Sequence, residues 1–111
     1  MKFTEIIANV ISFAHSAAKN NTATNPAIWE SHLNSLSDDE LIMLATFMYF
    51  GRDSEDIHEN DIAGYRNDLD LSRDRAMLHL VQIAASEQIE KYLRAGLTKA
   101  SNQNIDINSL V

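Results

Sequence analysis

The chain has no cysteine, one proline and three glycines among 111 residues, and each shortage removes a class of answers. Without cysteine there is no disulfide, no thiolate-bound zinc, no iron–sulfur cluster and no thiol nucleophile, and a reducing compartment suits the composition. With so few Gly and Pro residues, little turn chemistry remains for a β-rich fold, and long helices are favoured. No apolar run approaches the roughly 18 residues needed to span a bilayer, so no membrane segment is expected. A glycine-rich phosphate loop, a GxSxG elbow, a dinucleotide fingerprint and an HExxH pair are all missing. Nothing in the sequence favours a Ser-His-Asp arrangement, although triads assemble in space.

Positive charge is scarce as well. Nine Lys and Arg face sixteen Asp and Glu, for a net charge of −7 and an isoelectric point near 4.8. Residues 38–61 hold Asp38, Asp39, Glu40, Asp53, Glu55, Asp56, Glu59 and Asp61 against Arg52 alone, so this stretch carries the whole imbalance. A basic stripe, the footprint of a nucleic-acid binder, is absent, and direct DNA or RNA binding is not expected. The same field repels anionic membranes and attracts a basic partner or a cation. The plainer reading is that acidic residues crowd helix starts and loops for solubility and dipole reasons.

What remains is enough for one domain. The hydrophobic fraction of 45% is ordinary for a globular protein. A chain of this length buries roughly 65% of its unfolded surface. Met1-Lys2 and the small residues Ser16-Ala17-Ala18 loosely mimic a secretory signal. Glu5 and Asn9 break the apolar run such a signal needs, so a soluble, cytoplasmic protein is expected.

Periodicity predicts a helix over residues 3–19, where Phe3, Ile6, Ile7, Val10, Ile11 and Ala14 form one stripe. A polar connector over 20–25 leads to Asn25-Pro26, a helix start with Asn as N-cap and Pro at the first helical position. The short helix carries Ile28, Trp29 and Leu33 on its expected inner face and ends near Leu36. Ser37-Asp38-Asp39-Glu40 then reads as a capping box, with Leu36 and Leu41 placed for a hydrophobic staple. The following segment, residues 41–50, is apolar nearly all round and belongs at the centre of the fold. Gly51 reads as its left-handed stop. A buried strand is the rival reading for this run, and the capping box argues against it.

Residues 52–71 are polar and acidic, and predict a loop and then an irregular helix over about 59–68. Asp70 or Ser72 could cap the next helix, which runs to about Ala85 with Met77, Leu80, Val81 and Ala84 inward. Ser86 marks a break before a last helix through Ile89, Tyr92, Leu93 and Leu97. The expected architecture is all-α: an irregular or orthogonal bundle of about five helices around a central apolar helix. Residues 1–101 form its single domain and 102–111 a loose tail.

Two stretches, Leu36-Ser37-Asp38-Asp39-Glu40-Leu41 through Met48-Tyr49-Phe50-Gly51-Arg52-Asp53 and Glu90-Lys91-Tyr92-Leu93-Arg94-Ala95-Gly96-Leu97, resemble a small uncharacterised bacterial family. That family, a domain of unknown function, shows an acidic DEL helix start, an apolar helix ending in Gly-Arg and a closing YLxxGL helix. The similarity covers roughly residues 36–100. Where family members tend to have Gly-Arg-Gly-Asp, this chain reads Gly51-Arg52-Asp53-Ser54. Glu87 stands near a position where the family commonly has Pro. The resemblance implies an α-helical fold and a bacterial or mobile-element origin, and assigns no activity and no site residues.

The segment Asp53-Ser54-Glu55-Asp56-Ile57-His58-Glu59-Asn60-Asp61 alone is dense enough in ligands to suggest a metal, through Glu55, His58 and Asp61. As an EF-hand loop it fails, because Ile57 falls at the fifth position, His58 where Gly is required and Gly64 where a bidentate Glu belongs. Glu55 and His58 have the spacing of a di-iron ligand pair, but no second pair exists. A solvated acidic loop is the plainer reading. His15, His32, His58 and His79 fall on separate elements, and His79 reads as a packing or edge residue. Arg66, Arg73 and Arg75 alternate with Asp68, Asp70 and Asp74, which reads as local surface ion pairing.

Weighed together, these features point to a non-enzymatic protein–protein interaction module without a cofactor. Its partner is expected to be basic, met by Asp53, Glu55, Asp56, Glu59 and Asp61. The apolar surplus of the central helix adds the expectation of a homodimer. One alternative is a phage-type inhibitor that mimics nucleic acid. The other is a metal-binding protein or metal-dependent enzyme using Glu55, His58 and Asp61.

Overall fold

The computed structural model describes residues 2–19, 26–52, 62–83 and 86–110. The described residues form six α-helices and one short 3-10 turn, with no strand among them. In chain order the helices are α1 (Phe3–Lys19), α2 (Pro26–Asn34), α3 (Asp38–Arg52), α4 (Ile62–Leu69), α5 (Arg73–Ile83) and α6 (Glu87–Asn102). The all-α bundle is as the periodicity requires.

Local hydrogen bonding explains where several helices begin and end. At α3 the Ser37 N–H donates to Glu40 Oε1 at 2.8 Å, and the Glu40 N–H donates to Ser37 Oγ at 3.2 Å. Two N–H groups that the helix leaves orphaned are thereby satisfied. Ser72, not Asp70, caps α5, accepting from the Arg75 N–H at 3.2 Å. Asp70 instead ends α4 with φ of 48°, a left-handed conformation that Asp tolerates better than most residues. Ser86 caps α6 through the Ile89 N–H at 3.4 Å.

Helix α3 packs against α4, α5 and α6, while α1 lies on α6 and α2 on α5. Leu41, Met43, Leu44, Phe47, Met48 and Phe50 are all buried within the single chain. Of the apolar residues in 41–50, only Ile42 and Tyr49 are left half-buried rather than fully covered by the protein's own helices. Phe3 of α1 meets the Phe47 ring edge-on at 5.7 Å, which ties the first helix to the central one. Trp29, fully buried, donates from Nε1 to the Leu80 carbonyl at 2.9 Å and locks α2 onto α5.

Gly51 does not stop α3 in a left-handed conformation. It is helical, no glycine has positive φ, and the helix continues to Arg52. Its role is close approach: a Cβ at Gly51 would lie 1.8 Å from the Tyr92 carbonyl oxygen of α6. Gly96 returns the contact, since a Cβ there would meet the Phe47 ring at 2.8 Å and the Phe47 carbonyl at 3.2 Å. The absence of two side chains lets α3 and α6 touch backbone to backbone.

The tail is docked rather than loose. Asn104 takes φ of 57°, its N–H donates to the Ser101 carbonyl, and the Ile105 N–H donates to the Ala100 carbonyl. This Schellman closure reverses the chain at the end of α6. The 3-10 turn Ile107–Leu110 then lies on α1, with Ile107 buried and Leu110 half-buried against the core. The Thr4 N–H and hydroxyl both donate to Asn108 Oδ1 at 3.1 Å. Ile107 and Leu110, three apart on one face, supply the apolar anchor that a polar-tail reading overlooks.

Candidate functional site

Asp53, Glu55, Asp56, Glu59 and Asp61, and with them the metal candidates Glu55, His58 and Asp61, lie outside the described residues. The structure speaks to the rest of the acidic stretch, at the start of α3. There Arg66 of α4 pairs with Asp39 at 2.9 Å, and Arg73 of α5 pairs with Asp38 at 2.9 Å. Arg73 also donates to the carbonyls of Leu36 at 3.0 Å and Asn34 at 3.4 Å. One guanidinium thus serves the exposed carbonyls at the end of α2 and the acidic first turn of α3. For Arg66 and Arg73 the expected pairing with the aspartates beside them in sequence gives way to these partners on α3. Arginine is long enough to reach a neighbouring helix, and sequence adjacency on one helix turns side chains apart. With Glu40 engaged in the capping box, the acidic residues of 38–40 are all committed to local structure.

A polar cleft of about 270 Å³ opens between α3, α5 and α6. Helix α3 contributes Met48, Tyr49 and Arg52, and α5 contributes His79, Gln82 and Ile83. Gln88 and Tyr92 of α6 close it. On α5 and α6 these residues recur at three- and four-residue spacing, which puts each set on one helix face. The Tyr49 hydroxyl hydrogen-bonds His79 Nδ1, with the two rings edge-on at 5.4 Å between centroids. Arg52 lies over the Tyr49 ring, 4.4 Å from its centroid. His79, expected to be a packing or edge residue, is half-buried here. Only the 3-to-4 spacing of His79, Gln82 and Ile83 hinted at a shared face.

The remaining described histidines are accounted for by packing and pairing. His15 Nδ1 sits 3.2 Å from Glu90 Oε1, and Arg94 Nε donates to Glu90 Oε2 at 3.3 Å. His15 and Arg94 line a shallow groove between α1 and α6 of about 520 Å³, together with Ile7, Ile11 and Leu97. His32 stacks on Phe13 and Trp29, and its Nε2 is buried without a hydrogen-bond partner among the described residues. No three His, Asp or Glu side chains among the described residues converge as a metal site would require. No described helix is long and apolar enough to cross a membrane. Comparison with known protein families, curated proteins and solved structures finds no match for this chain.

Proposed function

We propose that this protein is a non-enzymatic protein–protein interaction module that meets a basic partner through Asp53, Glu55, Asp56, Glu59 and Asp61. The observation that carries the reading is how charge is distributed. Segment 53–61 holds five acidic residues and no Lys or Arg, while all nine basic residues lie elsewhere against the other eleven acidic ones. Asp38 and Asp39 support it by their arginine pairing, and segment 53–61 carries five of the seven net negative charges. Such a field accelerates and orients encounter with a positively charged surface. The composition and the bacterial resemblance set the reading in a bacterial cytoplasm.

The test is capture from a native bacterial lysate, comparing the parent with a variant in which those five residues become Asn or Gln. Circular dichroism first verifies that the variant is folded. A basic protein retained by the parent and lost by the folded variant supports the reading. Equal capture by both refutes it. Competition of that partner with DNA or RNA would identify a nucleic-acid mimic. A cation-dependent melting shift in the parent alone would instead move the segment to metal binding.

A further inference from the structure

Helix α1 has Lys2 where a capping side chain would stand. The Lys2 carbonyl accepts the first intrahelical bond, from the Ile6 N–H at 3.2 Å, which makes Lys2 the N-cap residue. A lysine side chain carries donors only, so it satisfies none of the orphan N–H groups of the first turn. The acceptor comes from the other end of the chain. Asn108 Oδ1 takes both the N–H and the hydroxyl of Thr4, the second helical residue, at 3.1 Å. That is the bond an N-cap side chain makes when it is local.

Asn108 rides on residues 103–110, which are held more lightly than the helices. Ile107 is the buried side chain there; Ile105 and Leu110 are half-buried, and Asn104, Asp106, Asn108 and Ser109 are exposed. The turn that leads in from α6 depends on Asn104, a non-glycine residue at φ of 57°. The packing of α1 on α6, and of α3 on α4, α5 and α6, involves none of these residues.

From this arrangement we infer that residues 103–110 form a strap that opens as a unit while the helical bundle stays folded, and that its opening uncaps α1. Thr4 also lines the groove between α1 and α6. The same motion therefore frees two donors at the edge of that groove and uncovers the seat of Ile107 on α1. Access to the start of α1 is set by the strap. The device does not depend on what segment 53–61 binds.

Native-state hydrogen exchange of the full-length protein tests the inference, followed by ¹H–¹⁵N NMR at urea concentrations below the unfolding transition. Two N–H groups report the strap: Thr4, bonded to Asn108, and Ile105, bonded across the turn to the Ala100 carbonyl at 2.9 Å. Those of Leu44 and Phe47, buried in α3, report global unfolding. In the parent, Thr4 and Ile105 should exchange at least about tenfold faster than the α3 pair. Their rates should hardly change with urea, because opening the strap exposes little surface. Ile107→Ala touches neither end of the Thr4–Asn108 bond, yet it should speed exchange at Thr4 and Ile105 together by about 30-fold. Asn108→Ala removes the acceptor and should speed both by about fivefold. Strap groups that exchange as slowly as Leu44 and Phe47, or that share their urea dependence, overturn the inference. So does a Thr4 N–H indifferent to Ile107→Ala, since α1 would then fray without the strap.

Discussion

Gly51→Ala is the sharpest perturbation of the α3–α6 contact, because two effects of opposite sign meet there. Alanine is the better helix former, and in an unconstrained helix interior the change stabilises by about 1 kcal/mol. Against this, the new Cβ would stand 1.8 Å from the Tyr92 carbonyl oxygen, where real Cβ atoms keep at least 3.0 Å. The two helices would have to part by about 1.2 Å, the difference between those distances. The obstacle is backbone, so no side-chain rotation relieves it. Overpacking of this kind costs about 1–3 kcal/mol and more when backbone must move, so the upper end applies. The net expectation is a loss of about 2 kcal/mol or more, which at this chain length lowers the melting temperature by about 8 °C. Urea and thermal unfolding followed by far-UV circular dichroism read it directly, with an unchanged m-value as the check that both variants unfold in the same way. Gly96→Ala is the paired comparison. Its nearest neighbours are the edge of the buried Phe47 ring at 2.8 Å and the Phe47 carbonyl at 3.2 Å, a milder overlap, so it should destabilise by about 1 kcal/mol, less than Gly51→Ala. If Gly51→Ala melts at or above the parent temperature, helix propensity has won and the close approach is not what that glycine provides.

Three further substitutions probe separate parts of the packing. Trp29→Phe keeps most of the buried area but removes the Nε1 donor to the Leu80 carbonyl, and should destabilise by about 2 kcal/mol in a urea melt. Ile107→Ala should lower stability by about 2 kcal/mol and speed hydrogen exchange in the first turns of α1; unchanged exchange and melting would restore the loose tail. Ser37→Ala removes the oxygen that accepts from the Glu40 N–H and should cost about 1 kcal/mol, with helix content otherwise preserved in circular dichroism.

How much of this protein could be read without its structure depends on the range of the forces involved. The start of α3 was legible because Ser37 and Glu40 satisfy each other's backbone N–H wherever the chain lies, while Ser86 was legible only as a break before α6. The inner face of α1 was legible because residues three and four apart share a face by helix geometry alone. Uniform apolarity placed α3 at the centre, while the capping box and the shortage of Gly and Pro favoured a helix there over a buried strand. Beyond about four residues the sequence alone was silent or misleading. Gly51 looked like a stop because glycine serves both as a left-handed terminus and as a gap for a neighbouring backbone, and only the arrival of Tyr92 decides between them. Arg66 and Arg73 looked paired with the aspartates beside them, while the fold carries their guanidinium groups to Asp39 and Asp38, 27 and 35 positions away. The tail looked polar until α1 offered Ile107 a surface, and the cleft of Arg52, His79, Gln88 and Tyr92 exists only where three helices converge. Local hydrogen bonding and periodicity are written in neighbouring residues; which helix meets which is set by the burial of the whole core, and only the tertiary structure decided it.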